Sequence, residues 1–315
     1  MNTFLNRNKQ YFLLLLSLAC LAFNACQSSQ SSKSAKAKKN KPQPTFKPVW
    51  GIGYTEVRRT LASGLSFSDQ GYQLIPSWRL SFPSDDSVNI YNTQRKLFVN
   101  APVIFDHDSV FNVAWAYLRL KKLSRDSIIF QILKVDDKVI ENDKSVVYMA
   151  LYANDYIRNV LHKDPLNLTY TTGRDTDFIR KKALLARKDM HEAFSATQPA
   201  ELSSKSPLLT VERLDIPPED RLADEPDYML PQFSIVVHKA YERFNYAFNA
   251  LIDDQGSIHF VSNAIPLDTV FLNRYNKAIK GIIDGYLKAY LRVKPGSTLG
   301  IPHSSRVVIN VMGLE

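Results

Sequence analysis

The residues able to do chemistry are few and scattered. There are six histidines. His191-Glu192 is not followed by a second histidine at the spacing that puts two metal ligands on one helix face. Asp106-His107-Asp108 gathers three possible ligands, but it reads as a turn, where adjacent side chains diverge. His238 and His259 fall on separate predicted strands, with no carboxylate at an evident spacing. Asp253-Asp254 could pass for paired acids, yet two carboxylates leading into Gln255-Gly256 are the chemistry of a hairpin tip. Gly51-Ile52-Gly53 lacks the strand before it and the helix after it that a dinucleotide site needs, so it reads as a turn. No G-x-S-x-G elbow and no phosphate-binding loop occurs. The expectation is a protein that is not an enzyme and that uses no metal or cofactor.

Both cysteines, Cys20 and Cys26, precede residue 27. That leaves no disulfide, thiolate zinc site or cysteine nucleophile in the rest of the chain. The formal charge of +9 is also local. Residues 1–50 contain no acid and eight bases (Arg7, Lys9, Lys33, Lys36, Lys38, Lys39, Lys41 and Lys47). Removing those eight from 40 leaves 32 bases against 31 acids in residues 51–315. Such a neutral folded part has no surplus of Lys and Arg to track a phosphate backbone, so no nucleic-acid partner is expected.

Before Cys26 the chain has a polar start with Arg7 and Lys9, then an apolar run from Tyr11 through Phe23. The run is short for a spanning helix and fits a secretory core. Ala25-Cys26 ends it, and Gln27-Ser-Ser-Gln-Ser-Ser32 follows at once. This resembles a bacterial lipoprotein signal. The resemblance implies cleavage after Ala25 and acylation of Cys26, anchoring the chain in a membrane. Phe23 stands where that family prefers leucine, and Ala19-Cys20 offers a second match with Ser17 in the leucine place. Cys26 is preferred because the polar stretch starts directly after it. An uncleaved anchor helix is the alternative.

Residues 27–48 are rich in Ser, Lys, Ala and Pro, with Phe46 the one large apolar side chain. They cannot bury enough surface to offset ordering entropy and read as a disordered basic tether. The lysines either hold to anionic headgroups or only keep the tether soluble.

From residue 49 to about 165 the pattern has period two. The predicted strands are 77–82, 87–91, 95–99, 109–120, 126–135 and 145–153, with 109–120 apolar on both faces and therefore central. This is an antiparallel meander curled into a barrel or half-barrel. Gly71-Tyr72, Pro76-Ser-Trp78 and Ser87-Val-Asn-Ile-Tyr91 resemble the small lipocalin-like domains of bacterial lipoproteins. That likeness implies a carrier of a small apolar ligand. The alternative is a solid core around Trp78, Trp115, Phe130 and Tyr148. Residues 166–232 hold a basic helix, with Asp175 as its N-cap and its end near Phe194. A linker rich in Pro follows, interrupted by a strand at 208–213.

Residues 233–315 carry the clearest pattern. Phe244 to Ile252 alternates, Asp253-Asp-Gln-Gly256 turns, and Ser257 to Val261 returns. A helix spans about Asp268 to Leu291, with Phe271, Tyr275, Ala278, Ile282, Tyr286 and Tyr290 as one stripe. Lys294-Pro-Gly296 stops it, and Arg306 to Met312 is a last strand. This order, with the Phe248 to Ile258 hairpin, Arg292-Val-Lys-Pro-Gly296 and Gly300-Ile-Pro302, resembles the C-terminal domain of TonB-type energy transducers. Leu291 stands where that family carries tryptophan, and the helix is about two turns longer. The resemblance implies capture of an extended peptide by Arg306, Val307, Val308, Ile309, Asn310, Val311 and Met312, acting as an exposed edge strand of a three-stranded sheet.

Taken together, the sequence predicts an α+β chain. An N-terminal antiparallel β meander or barrel-like domain precedes a small C-terminal α+β domain of β-hairpin, long helix and terminal strand. The resemblances imply a lipoprotein of a Gram-negative-type cell envelope, anchored in the outer membrane and facing the periplasm. Its partner would be a periplasmic segment of an outer-membrane transporter or another envelope protein. A carrier of an apolar ligand and a structural envelope component are the competing readings.

Overall fold

The computed structural model describes residues 43–168, 171–214, 226–266 and 268–315. Cys20, Cys26 and residues 27–42 of the expected tether lie outside the described residues. Eight antiparallel strands close a barrel: β1 (Tyr54–Leu61), β2 (Arg79–Ser81), β3 (Ser87–Asn92), β4 (Leu97–His107), β5 (Val110–Val113), β6 (Ala116–Leu123), β7 (Ser127–Ile132) and β10 (Val147–Ala153). A two-stranded ribbon, β8 (Val135–Asp136) with β9 (Val139–Ile140), is inserted before β10. The order is a meander, and β1 closes the ring by pairing β10 on one side and β2 on the other.

The closing seam is short, because β1 and β2 pair only at Tyr54↔Leu80 and Thr55↔Arg79. A buried carboxylate extends it. Glu56 Oε2 accepts the backbone N–H groups of Ser77 (2.8 Å) and Trp78 (3.0 Å), and Arg59 donates to both its oxygens at 2.8 and 2.7 Å. A charge can stay buried here because every contact satisfies it. Strand β1 has no counterpart among the predicted strands, since Glu56, Arg58 and Arg59 break its alternation.

The predicted central strand 109–120 is two strands. Ala114 takes φ of +57°, and Trp115 sits at the hairpin tip, 63% exposed, against Trp78 at 5.6 Å between centroids. Tight hairpins of this kind favour Gly or Asn at positive φ, and neither is present, so the sequence carries no turn signal. Of the four residues expected to pack the core, Phe130 does so, Trp78 and Tyr148 are half-buried, and Trp115 lies outside.

The barrel's centre is instead filled from a stretch of the expected tether. Phe46 is fully buried, stacked on Phe82 at 4.0 Å and close to Phe111 (4.9 Å) and Phe130 (6.4 Å). Asp85 fixes the entry by accepting from Phe46 N–H (2.7 Å), the Thr45 hydroxyl (2.6 Å) and the Trp50 indole (3.2 Å). A short 3₁₀ turn, Lys47–Val49, then buries Val49. Residues 43–48 therefore belong to the barrel, because burying a Phe ring is worth roughly 2–3 kcal/mol and outweighs the polarity of its neighbours.

Helix α1 (Asn154–Asn159) follows β10, and α2 (Gly173–Lys188) follows it. Thr172, not Asp175, is the N-cap of α2. Asp175 closes a capping box from the third helical position. It is fully buried and accepts from Thr172 N–H (2.8 Å), the Thr172 hydroxyl (2.9 Å), Ser66 N–H (2.8 Å) and Arg58 (3.3 Å), which pins the helix to the barrel. At the other end, Ser304 donates to the Ala186 carbonyl (3.3 Å), and Arg187 Nε pairs with Asp254 at 2.7 Å. Phe67, Ile179, Ala186 and Phe194 form a small core there, with Leu299 and Ile301 against it. Gly71 (φ +90°) lets a barrel loop run against the Ser195 carbonyl, where an added Cβ would come within 2.2 Å. These contacts tie α2 to its neighbours at both ends, and residues 43–315 form one unit.

The remaining elements are β11 (Glu201–Ser204), β12 (Leu209–Leu214), β13 (Gln232–His238), β14 (Phe244–Ile252), β15 (Ile258–Asn263), α3 (Thr269–Ile282), β16 (Leu291–Lys294), β17 (Ser297–Thr298), β18 (Ile301–Pro302) and β19 (Ser305–Leu314). Asp268 caps α3 by accepting from Val270 N–H at 3.2 Å. The helix continues through a π turn, Ile283–Leu287, to Tyr290. The sheet has five strands in the order β12-β13-β19-β14-β15, while β11 pairs with β16. Two strands of the expected linker are therefore part of the C-terminal fold. The helix buries Ile279, Ile282, Ile283 and Leu287 against Phe233, Phe248, Val307 and Ile309. Of the expected stripe, Ile282 is buried, Tyr275, Tyr286 and Tyr290 line the rim of this core, and Phe271 is 60% exposed.

Candidate functional site

The predicted peptide-binding strand, Arg306 to Met312, is not an edge. It lies in β19, the middle strand, paired in parallel with β13 and antiparallel with β14. From Val308 onward its backbone faces partner strands on both sides, while Arg306 and Val307 pair with β14 alone. Val307, Ile309 and Val311 are fully buried and Val308 nearly so, which is the two-faced burial of a central strand. Arg306, Asn310 and Met312 are the members of that stretch with substantial exposure. Strand addition at these seven residues has no open row to use.

Among the described residues, the end strands of the sheet are β12 and β15. Strand β12 ends at Leu214, where residues 215–225 fall outside the described residues. Strand β15 pairs only with β14 among the described residues. The Asp253 N–H donates to the Ser257 carbonyl at 3.0 Å, and Leu251 pairs with His259 two residues on. The alternation of an antiparallel ladder then turns the N–H and C=O of Ile258 and Phe260 to the open side. The register slips by one residue at Val261, a bulge that leaves Val261 51% exposed.

Two grooves run beside this edge. The first, of about 520 Å³, lies between the start of β15 (Ser257, Ile258, His259), the π turn and β16, with Lys205, Lys288 and Arg292 in its wall. The second, of about 330 Å³, follows the other half of β15, from Phe260 to Asn263, with Ile265, Pro266 and Leu272. Ile265 and Phe271 stay more than half exposed nearby. Asp253 anchors the hairpin behind the first groove. It accepts from Gln255 N–H (2.9 Å) and Ser257 N–H (2.8 Å) and pairs with His259 Nε2 (2.8 Å). Burial alone would raise the Asp253 carboxyl, but these bonds outweigh it and hold the group below the usual carboxylate range.

The histidines take structural places. His107 contacts Asp106 on the surface (2.6 Å), and His238 bonds the Thr210 hydroxyl (2.8 Å). His191 sits in an exposed 3₁₀ turn. His303 is fully buried, stacked on Phe194 at 3.7 Å, and contacts the Thr298 hydroxyl (3.0 Å) and the Ser304 carbonyl (3.1 Å). Burial pushes its pKa down to about 4, partly countered by the Ser304 carbonyl. Among the described residues no group of three His, Cys, Asp or Glu side chains converges as a metal site.

No protein-family model matches the chain, and no curated protein matches its sequence. What sequence reasoning missed is the edge itself. Ile258, Phe260 and Val261 lie in a strand it did find, but which strand ends the sheet depends on pairings between residues far apart in sequence.

Proposed function

We propose that the chain is a membrane-tethered lipoprotein of the bacterial cell envelope that binds a partner protein by adding an extended segment of it to β15. The carrying observation is the open Ile258–Phe260 edge bordered by two grooves and exposed apolar side chains. Main-chain hydrogen bonds supply affinity in such recognition, and pockets for alternate side chains supply choice. A segment of an outer-membrane transporter facing the periplasm is the partner class implied by the TonB-like order. Acylation at Cys26 places the module at the membrane. The filled centre of the barrel, with Phe46 among Phe82, Phe111 and Phe130, favours this reading over that of a carrier.

The test uses cells making the chain with a photo-cross-linking residue in place of Ile265. An adduct to one envelope segment is expected, and Ile258→Pro should remove it. Proline at that position deletes an outward N–H while leaving the β14 ladder intact. Adducts that persist unchanged in folded Ile258→Pro overturn the assignment. Palmitate labelling that is lost in Cys26→Ser, but not in Cys20→Ser, checks the anchor.

A further inference from the structure

The two grooves beside β15 differ in charge. The wall beside Phe260 to Asn263 carries no ionisable side chain. The wall beside Ser257 to His259 carries Lys205, Lys288 and Arg292 against Asp284, while His259 is already engaged by Asp253. All three cations are exposed, and none has an ion-pair partner within 4.0 Å among the described residues. Neighbouring cations on the same surface do have partners: Lys294 pairs with Glu201 at 2.8 Å, and Arg187 pairs with Asp254. A helix C-terminus accounts for one cation, Lys288, in the last turn. It does not account for the other two, which come from the β11–β16 ribbon. Lys205 is held there by its N–H to the Tyr290 carbonyl (2.8 Å), and Arg292 stands opposite Ser203.

Gathering three like charges around one concave site is unfavourable until an anion enters it. We propose that this groove selects carboxylates, so that the partner segment held on β15 is amphiphilic. Its apolar residues lie along Phe260 to Pro266 and Leu272, and its Asp or Glu side chains lie at Lys205, Lys288 and Arg292. This rests on strand addition at β15 and adds the chemistry of the segment. Charge pairing of this kind sets partner choice and register more than total affinity.

The experiment measures fluorescence anisotropy of labelled synthetic decapeptides on the full chain in detergent. Two probes pair an alternating Val/Thr half with a Glu-Asp-Glu block, at the N-terminal or the C-terminal end. A third replaces the block with Gln-Asn-Gln. One acidic peptide is expected to bind at least tenfold more tightly than the neutral one at 50 mM salt, with the gap narrowing at 300 mM. Lys288→Gln with Arg292→Gln should erase the gap while leaving the neutral peptide's affinity unchanged, and Ile258→Pro should weaken every peptide. Equal binding of acidic and neutral peptides, or a gap that survives the double substitution, overturns the charge selection and leaves strand addition standing. Failure of all the peptides to bind overturns both. If phosphatidylglycerol vesicles bind through the same two cations and no peptide is discriminated, the groove belongs to a lipid surface and the proposal fails.

Discussion

The barrel and the C-terminal sheet solve the edge problem in opposite ways. The barrel pairs every strand on both sides, seals its shortest seam with Glu56, and fills its centre with a ring from the entering chain. Among the described residues the sheet ends on β12 and β15 with no further partner strand, and β15 carries a bulge. Unpaired edges invite other strands, and natural proteins cover them unless there is a use for them. One region is thus closed on itself, while the other keeps its open edge beside two grooves.

Three measurements can break or sharpen that contrast. The largest effect is expected at Phe46. Phe46→Ala should cost about 3–5 kcal/mol in urea unfolding, because it empties the middle of a packed ring cluster. A loss below about 1 kcal/mol would mean that the barrel is not sealed by its entry segment. The second is acid sensitivity of the interface under α2. His303 has a folded pKa of about 4 against 6.5 for the free group. As pH falls, the unfolded chain takes up that proton first, so the contribution is whole above 6.5 and drains away down to 4. The total is roughly 3 kcal/mol, and His303→Gln should flatten the stability profile over that window. An unchanged slope in the variant would sink this reading. The smallest effect concerns Gly281, where an added Cβ meets nothing within 4 Å. Gly281→Ala should raise stability by about 1 kcal/mol in thermal melts, since glycine inside a helix costs that much relative to alanine. A destabilised variant would show that the open flank is more crowded than the packing indicates.

Much of the local structure was legible. The β14–β15 hairpin followed from alternation and Asp253 to Gly256, and the helix expected from about Asp268 begins at Thr269. The strand expected at 208–213 lies at Leu209–Leu214. Three features escaped for stated reasons. Charged residues on β1 hid its period. The Ala114 turn has no turn residue to announce it. The place of β19 in the sheet depends on parallel pairing with β13, 76 residues away. One signal did exist, because Val307, Val308 and Ile309 in succession are apolar on both faces, and a free edge rarely is. The candidate site was legible only in part: its strand was found, but its position at the edge was not.

Phe46 has a mechanical consequence. Tension applied at residue 43 loads the Phe46–Phe82 stack and the Asp85 clamp before it reaches any barrel strand. Extracting the ring removes the centre of the fold, so the joint and the barrel should yield together. The entry segment therefore serves as a rivet through which a pull on the chain is spread across the whole ring of strands.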